Sequence, residues 1–205
     1  MPRIRIHFSK KNYAVFISHI DLPMLFSRAA ARAGLRMERT QGFSPHPKLA
    51  LCPPLPVGVV GLREPADFWF VEWEHDSMSR WRQFLPGGID ILDAQETDGV
   101  SLNKLCAAAS YVIEPLDGSS PTDIADVLES TLKENDSFLD VCVIGREVSL
   151  SASGLELCGP SRMVKSLVSA SLISGWSSLS IVRSAVGRWD RNGMRVIPLT
   201  EEFIS

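Results

Sequence analysis

Apolar and polar side chains alternate at the start of the chain. The apolar residues occupy every second position, at Ile4, Ile6 and Phe8. Basic residues fill the positions between them, at Arg3, Arg5 and His7. A period of two is typical of a half-buried β-strand, so we predict a strand over residues 3–9 with a basic outer face. Residues 14–17 are predicted to form a second short strand.

The spacing of apolar residues then changes to that of a helix. The residues on this apolar stripe are Leu22, Leu25, Phe26, Ala29 and Ala33. Ser18 and Asp21 have the S-x-x-D spacing of a capping box at the helix start. Asp21 is the alternative N-cap, because it would place Pro23 in the first turn, where proline is tolerated. Gly34 is expected to end the helix.

A proline-rich segment follows the predicted helix. Residues 41–58 read QGFSPHPKLALCPPLPVG and hold five of the thirteen prolines. Each proline fixes φ, removes a backbone donor and biases the preceding residue towards extended geometry. We therefore predict a stiff loop at residues 41–48, followed by an apolar stretch at residues 49–52. Long ordered loops in compact domains are usually functional or cover something functional.

The rest of the chain predicts two units with the same order of elements. In the first half, a strand at residues 67–73, a short helix from Ser77 and a strand at residues 89–94 complete the order β-α-β-β-α-β. The second half repeats this order, with strands at residues 107–113, 138–144, 148–157, 179–186 and 194–198 and helices at residues 121–133 and from Pro160. We predict an α+β fold of tandem ferredoxin-like units, with domains at residues 1–98 and 99–205 and the proline-rich loop inserted in the first.

The charge of the chain is unevenly distributed. Residues 1–48 contain nine Lys and Arg but two acids, a net charge of +7, whereas the remaining 12 bases and 22 acids give -10. Arg28 and Arg32 lie one turn apart on the polar side of the predicted helix, and Arg36 and Arg39 follow it. A basic face of this kind would attract phosphate or another anionic partner, unless the charges are scattered over several faces.

The sequence lacks the usual signals of a membrane or secreted protein. No apolar run approaches the roughly 18 residues of a membrane span. The first residues, MPRIRIHF, do not have the apolar core or cleavage site of a signal peptide. We expect a cytoplasmic location, no membrane partner and no bound cofactor.

Four motifs in the first seventy residues carry a resemblance to a known family. They are FSK at residues 8–10, FISHIDL at residues 16–22, RAG at residues 32–34 and QGFSPHPKL…PLPVG at residues 41–58. They resemble the radical SAM-linked family, in which this domain stands alone or is joined to the C-terminus of a cobalamin-binding radical SAM protein. Glu64 and Asp67 resemble its E-x-x-D element. The resemblance implies a setting beside a radical SAM protein, and a fold, rather than a reaction.

This chain does not carry the centre of a radical SAM enzyme itself. Such enzymes bind their iron–sulfur cluster through a three-cysteine CxxxCxxC motif, and no such motif is present. If radical chemistry is involved, a separate polypeptide performs it. The radical SAM protein is therefore expected as a partner on another chain.

The candidate site residues lie around the helix start and the proline-rich loop. One interpretation gathers them around a phosphate or carboxylate, with His19 and His46 as catalytic groups and with Lys10, Ser18, Asp21, Arg28, Arg32, Gln41, Ser44 and Lys48 as ligands. A helix N-terminus favours anions, and we expect the helix start and residues 44–48 to converge. In the structural interpretation Ser18 and Asp21 are helix caps and His19 is a hydrogen-bonded, half-buried residue. We favour that interpretation for the caps and a functional one for His46 and Lys48.

Three other interpretations carry less support from the residues. His19, Asp21 and His46 could bind zinc or iron, but no local ligand spacing supports a metal site, and none is predicted. Cys52 as a nucleophile is disfavoured because a thiol in an apolar stretch keeps a high pKa. The aromatic residues of the strand at residues 67–73 could stack on RNA bases, but such a row is more often core.

Two functions of different classes remain. The first, which we favour, is a non-catalytic RNA-binding or substrate-presenting module for an RNA-modification system. The second is a small enzyme that acts on RNA or a phosphorylated metabolite, with His19 and His46 as acid and base, because the unperturbed pKa of histidine lies near neutrality.

Overall fold

The structure, a computed structural model, describes residues 1–155 and 158–199. These residues form nine strands and five α-helices, and the strand pairs inside each unit are antiparallel. The predicted mixture of helices and antiparallel strands is therefore confirmed. The end of the strand predicted at residues 148–157 lies outside the described residues.

The chain divides into two compact units. Unit 1 comprises residues 1–57 and 61–104, and unit 2 comprises residues 58–60 and 105–205. The domain boundary after residue 98 stays a prediction. In the described residues, no helix combines the length and the apolar character needed to cross a membrane.

Unit 1 contains four strands and the helices α1 and α2. In chain order they are β1 (Arg3–Lys10), α1 (Leu22–Arg32), β2 (Leu49–Leu51), β3 (Val60–Trp69), α2 (Ser77–Arg82) and β4 (Ile89–Glu96). The strands lie in the order β4, β1, β3, β2. The first strand of the unit is therefore paired on both sides, with β3 and with β4.

The apolar face of β1 packs into the core of unit 1. Ile4, Ile6 and Phe8 are buried together with apolar residues of β3, β4, α1 and α2. The alternation in β1 and the helical stripe in α1 thus face each other, as two amphipathic elements must if both are to bury their apolar sides. Local periodicity in the sequence is sufficient to predict this packing.

Aromatic rings fill the centre of this core. Trp81 of α2 is fully buried and makes edge-to-face contacts with the rings of Phe26, Phe68 and Phe70. Its indole N–H donates a hydrogen bond of 3.1 Å to the carbonyl oxygen of Phe26. A buried tryptophan needs such a partner, because an unsatisfied indole donor would be costly. Trp81 therefore joins α2 to α1 through both packing and a polar contact.

The polar face of β1 is buried as well, which corrects the predicted basic outer face. The guanidinium of Arg5 donates two hydrogen bonds, of 2.7 and 2.9 Å, to the carboxylate of Asp67, its direct partner in the β1–β3 register. The side chains are 3% and 1% exposed. A third hydrogen bond joins Arg5 to the carbonyl oxygen of Val100. The alternation of apolar and polar residues in β1 is present as predicted. The polar face is nevertheless buried, because a charged side chain can be buried when a partner satisfies it, and the partner of Arg5 is 62 residues away in the sequence.

Two local predictions near the helix start are wrong. The strand predicted at residues 14–17 is a 3-10 helix, Asn12–Phe16, closed by i→i+3 hydrogen bonds from Ala14 to Lys11 and from Ile17 to Ala14. Asn12 has a positive φ of 50°, which turns the chain away from an extended path. The periodicity of a short apolar run does not distinguish a short strand from a short helix.

The predicted capping box is also absent. Asp21 occupies the N-cap position of α1 but has helical φ and ψ and makes no side-chain cap hydrogen bond. The hydroxyl of Ser18 donates to the carboxylate of Asp21 at 2.6 Å, which replaces the expected contacts with backbone N–H groups. Pro23 lies in the first turn and Gly34 has a φ of +75° after the last turn, both as predicted.

One further boundary differs from that predicted. The strand expected at residues 67–73 is β3, Val60–Trp69, because its pairing with β1 begins earlier in the chain. The apolar stretch after the loop is the short strand β2. The short helix from Ser77 and the strand from Ile89 appear where they were expected.

Unit 2 repeats this arrangement of elements. After α3 (Leu102–Leu105) come β5 (Ala108–Pro115), α4 (Pro121–Lys133), β6 (Phe138–Ile144), β7 (Glu147–Ser153), α5 (Pro160–Ser169), β8 (Leu179–Asp190) and β9 (Arg195–Pro198). The strands lie in the order β8, β5, β7, β6, and β9 pairs with β8. Pro160 opens α5 as predicted, and the Ser120 hydroxyl caps α4 by accepting the N–H of Asp123.

We expect Arg5→Met to lower the free energy of unfolding by about 3–5 kcal/mol, because the buried Asp67 carboxylate loses both hydrogen bonds from Arg5 and keeps only Arg3, at 3.8 Å. Arg5→Met combined with Asp67→Leu should lose less than the sum of the single changes. Urea denaturation of the wild type, both single variants and the double variant measures this coupling. Arg36→Met is the control, because its pair with Glu72 is exposed and should be worth about 1 kcal/mol or less. Additive losses would contradict a direct ion pair.

Trp81→Ala should destabilise the protein by about 3–5 kcal/mol through the cavity it leaves. Trp81→Phe should lose less, since it keeps an aromatic ring but not the N–H donor. Trp176→Ala is the control: this ring is partly exposed in unit 2, so its loss should cost less free energy of unfolding than the loss of the fully buried Trp81. Chemical denaturation followed by tryptophan fluorescence compares the three variants, and equal losses for Trp81→Ala and Trp176→Ala would disprove the central role of Trp81.

Candidate functional site

A groove of about 670 Å³ runs along α1 on the surface of unit 1. One wall is α1, and the other is the segment that follows α2. The lining residues are Asp21, Met24, Leu25, Arg28, Ala29, Arg32, Gln83, Phe84, Leu85 and Pro86. The α1 residues recur every three or four positions, so that they share one face of the helix. The groove therefore lies along the edge of the α1 face that packs on the core.

Arg28 and Arg32 supply the positive charge of this groove. Both side chains are exposed, and they lie one helical turn apart. In the described part of the chain neither has an acidic side chain within ion-pair distance. The apolar residues Met24 and Phe84 are also partly exposed beside them. The groove thus combines guanidinium groups with apolar surface.

The structure brings three of the predicted ligand residues into this groove, namely Asp21, Arg28 and Arg32. Asp21 also accepts the hydroxyl hydrogen bond of Ser18, which places Ser18 beside the same end of α1. His19 lies between them in the turn before the helix and is half-buried. The helix start is therefore part of the groove.

The proline-rich loop forms an irregular, exposed segment that is ordered by its own contacts. His46 Nδ1 lies 3.2 Å from the Thr40 hydroxyl and 3.2 Å from the carbonyl oxygen of Ser44. Backbone hydrogen bonds also join Thr40 to His46 and Lys48 to Glu38. Gln41, Ser44 and His46 are exposed. A stiff loop was predicted, and these contacts explain how it is held; a site shared by His19 and His46 stays a prediction.

The two predicted lysines have different surroundings. Lys48 forms an ion pair with Glu38 at 3.3 Å, and its ammonium lies 5.1 Å from the centre of the Trp69 ring. Lys10, at the end of β1, is fully buried. A ligand at the surface of unit 1 would therefore meet Lys48 but not the side chain of Lys10.

The aromatic residues at positions 68–73, at the end of β3 and just after it, divide between two sides. Phe70 is buried in the core and Trp73 packs against it. Trp69 points to the other side, where Arg3 and Lys48 lie over its ring. Most of the row is thus core, as we favoured from the sequence.

No group of three or more His, Cys, Asp or Glu side chains among residues 1–155 and 158–199 is arranged to hold a metal ion. The metal interpretation of His19, Asp21 and His46 therefore gains no support from the described residues.

Sequence reasoning missed a second charged cluster on the polar face of the sheet. His7 Nδ1 lies 2.6 Å from the carboxylate of Asp93, its partner in the β1–β4 register, and Arg63 binds the other oxygen. Burial acts to raise the pKa of Asp93, but the hydrogen bond and charge of His7 and the guanidinium of Arg63 outweigh it and hold the pKa below its usual value. His7 and Asp93 are 86 residues apart, and no local signal could have paired them. The groove wall at residues 83–86 was missed for the same reason.

Asp93→Asn should reduce stability at neutral pH and lose this effect in acid. Because the folded pKa of Asp93 is lowered, its stabilising contribution is present above its ordinary pKa and declines as pH falls through the folded pKa. The difference in urea midpoint between the wild type and the variant should shrink as pH falls from about 5 towards about 2. Asp98→Asn controls for the loss of a negative charge near the same strand end. A difference that does not change with pH would contradict the prediction.

Comparison with solved structures gives distant similarities. A chain from a crystal structure of the archaeal box H/ACA sRNP Nop10–Cbf5 complex matches at 15% identity and a TM-score of 0.44, covering 90% of this chain and 47% of that one. A microcompartment protein from Desulfitobacterium hafniense DCB matches at 12% identity and a TM-score of 0.26, covering 90% and 95%. Likenesses this weak carry no argument about function.

No curated protein matches the sequence. A family model does match, over residues 3–140. This match contains all the elements of unit 1, the groove and the proline-rich loop, and extends through α4. The chain belongs to DUF2344, the family described as uncharacterized proteins conserved in bacteria.

Proposed function

We propose that this protein is a non-catalytic RNA-binding or substrate-presenting module of an RNA-modification system. The observation that carries the proposal is the groove along α1, where Arg28 and Arg32 are exposed beside apolar surface. A guanidinium without an acidic partner is available to an anion, and a phosphate backbone offers anions at regular intervals.

The spacing of the two arginines suits a chain of phosphates. Four residues of an α-helix rise by about 6 Å, so each guanidinium can take a phosphate of its own. Met24 and Phe84 lie in the same groove and offer apolar surface to the sugars and bases. A small inorganic anion would use the charges but would leave this apolar surface exposed to water.

The alternative function, an enzyme with His19 and His46 as acid and base, needs both imidazoles at one ligand. His46 is instead held by Thr40 and Ser44 within its own loop. A ring held in this way is suited to keeping the loop in shape. The binding function therefore has more support than the catalytic one.

The proposal includes two finer points. We infer that both units are ferredoxin-like, which is supported by their common order β-α-β-β-α-β and by the matching strand order in each. We also infer a radical SAM protein on a separate chain as the partner, which is supported by the motifs at residues 8–58. Co-purification of the two proteins from cells that express both would test this partnership.

Titration of single-stranded RNA at several salt concentrations tests the binding function. Log affinity should fall with log salt by about 0.7 for each phosphate neutralised on a single strand. Arg28→Ala with Arg32→Ala should flatten this slope by about one unit or more, because two contacts are lost. Their loss should change stability by about 0.5 kcal/mol or less, since both side chains are exposed.

Arg162→Ala with Lys165→Ala is the matched control, because these two bases are also exposed and one turn apart, on α5 of unit 2. It changes the net charge by the same amount and should leave the slope unaltered. Equal slopes for both double variants would show that the α1 arginines have no specific part in binding. If the wild type does not bind RNA even at low salt, the proposed function is wrong.

A further inference from the structure

The 3-10 helix before α1 presents two aromatic rings to solvent. Tyr13 is 89% exposed and Phe16 is 68% exposed, whereas Ala14 and Val15 between them are buried. Ile20, four residues further on, is 86% exposed. Large apolar side chains this exposed and this close in sequence are unusual on a protein surface and typically mark an interaction site. We call the exposed rings of Tyr13 and Phe16 the aromatic surface.

The geometry of the helix places both rings on one side. In a 3-10 helix the side chains at i and i+3 lie directly above one another. Three residues rise by about 6 Å, which is roughly twice the 3.4 Å between successive nucleotides of one strand. A gap of about 6 Å between the positions of Tyr13 and Phe16 would admit one planar base between their side chains.

A rigid corner ties the aromatic surface to the groove. The N–H of Lys11 donates to the carbonyl oxygen of Gly88 at 2.8 Å, only two residues after the groove residue Pro86. Gly88 has a φ of +91°, and a Cβ there would lie 2.4 Å from the Lys11 carbonyl oxygen. No other residue fits this position without displacing the 3-10 helix. From the other side, the chain runs directly from Phe16 into α1.

We infer that the aromatic surface stacks the unpaired bases of single-stranded RNA whose phosphates bind in the groove. This inference rests on the proposed function and specifies its ligand. Single-stranded nucleic acid combines anionic phosphates with flat apolar faces. The protein offers complements to both on two consecutive elements: Lys11, Tyr13 and Phe16 are exposed at the 3-10 helix, and Arg28 and Arg32 are exposed on α1. Paired bases in a duplex are already stacked on one another and cannot reach these rings.

The charge around the aromatic surface favours RNA over a protein partner or a second copy of the chain. The stretch from Lys10 to Ile20 contains no acidic residue. A second copy of the chain would bring its own Lys11 and arginines to face the same basic residues of the first, and these like charges would repel. An apolar protein surface would bury the rings but leave the arginines and Lys11 without anionic partners.

Tyr13→Ala with Phe16→Ala tests the inference with a fluorescein-labelled RNA of about twelve nucleotides, a length within the usual range of single-strand sites. Affinity for the single strand should fall at least about fivefold, because stacking on an aromatic side chain is worth about that much or more for each base. The salt slope should not change, since no phosphate contact is removed. Affinity for a duplex of the same sequence should be weak in the wild type and unaltered in the variant.

Tyr13→Leu with Phe16→Leu separates stacking from general apolar contact and provides a second variant should the alanine pair fold poorly. Leucine keeps the bulk without the flat ring, so affinity should again fall. Trp176→Ala, which removes a partly exposed ring from unit 2, is the matched control and should bind like the wild type. Size-exclusion chromatography of each variant, with and without RNA, accompanies the titrations.

The possible outcomes separate the inference from the proposed function. If the wild type binds single strands with the expected salt slope but both aromatic pairs bind equally well, the inference is wrong and the proposed function stands. Full affinity in the leucine pair alone also overturns stacking. A wild-type dimer that the alanine pair converts to a monomer assigns the surface to a second copy. If the wild type binds no RNA at low salt, both proposals are wrong.

Discussion

The ion pair between Arg5 and Asp67 is the contact on which the geometry of unit 1 depends. Both charges are buried, at 3% and 1% exposure, and the two hydrogen bonds between them offset much of the cost of that burial. Arg3 lies 3.8 Å from the same carboxylate, and Arg5 also donates to the carbonyl oxygen of Val100. The pair also defines the register of β1 against β3, since a slip of one residue would turn every side chain to the opposite face. The slip would bury the basic residues of β1 in the aromatic core and turn Ile4 and Ile6 to the charged face. A charged pair across two strands therefore secures the apolar packing on the other face.

This use of charge changes the meaning of the basic first quarter. Arg5 and Lys10 are buried in β1, and Arg36 and Lys48 are paired with nearby acids. The charge that remains available to a partner is therefore smaller than the net +7 of residues 1–48, and it includes Arg28 and Arg32 of α1 and Lys11 before it. The helix presents its arginines because its other side is committed to the core. Arginine therefore has two roles in unit 1: Arg5 stabilises the pairing of β1 with β3, whereas Arg28 and Arg32 are exposed on α1.

The groove and the aromatic surface are built on rigid supports. The groove wall beside α1 follows α2, which Trp81 joins to α1 through ring contacts and a hydrogen bond. The 3-10 helix is secured at Gly88, on the same side of the core. Sites on well-packed elements lose little conformational entropy on binding, which favours affinity without large apolar contact. The family match at residues 3–140 includes all of these supports.

The sequence by itself determined the elements whose signals are local. The alternation in β1, the apolar stripe of α1, the glycine at the end of α1 and the irregular proline-rich loop all follow from periodicity or from the restricted backbone of proline and glycine. Only the tertiary structure decided which charges are buried, because Arg5 meets Asp67, and His7 meets Asp93, across strands far apart in the chain. The second groove wall and the exposure of Tyr13 were likewise decided by packing: residues 83–86 and residue 13 carry no pattern that distinguishes a binding surface from an ordinary loop. Spacing along a chain reports local geometry, whereas burial and pairing depend on which distant segments the fold brings together.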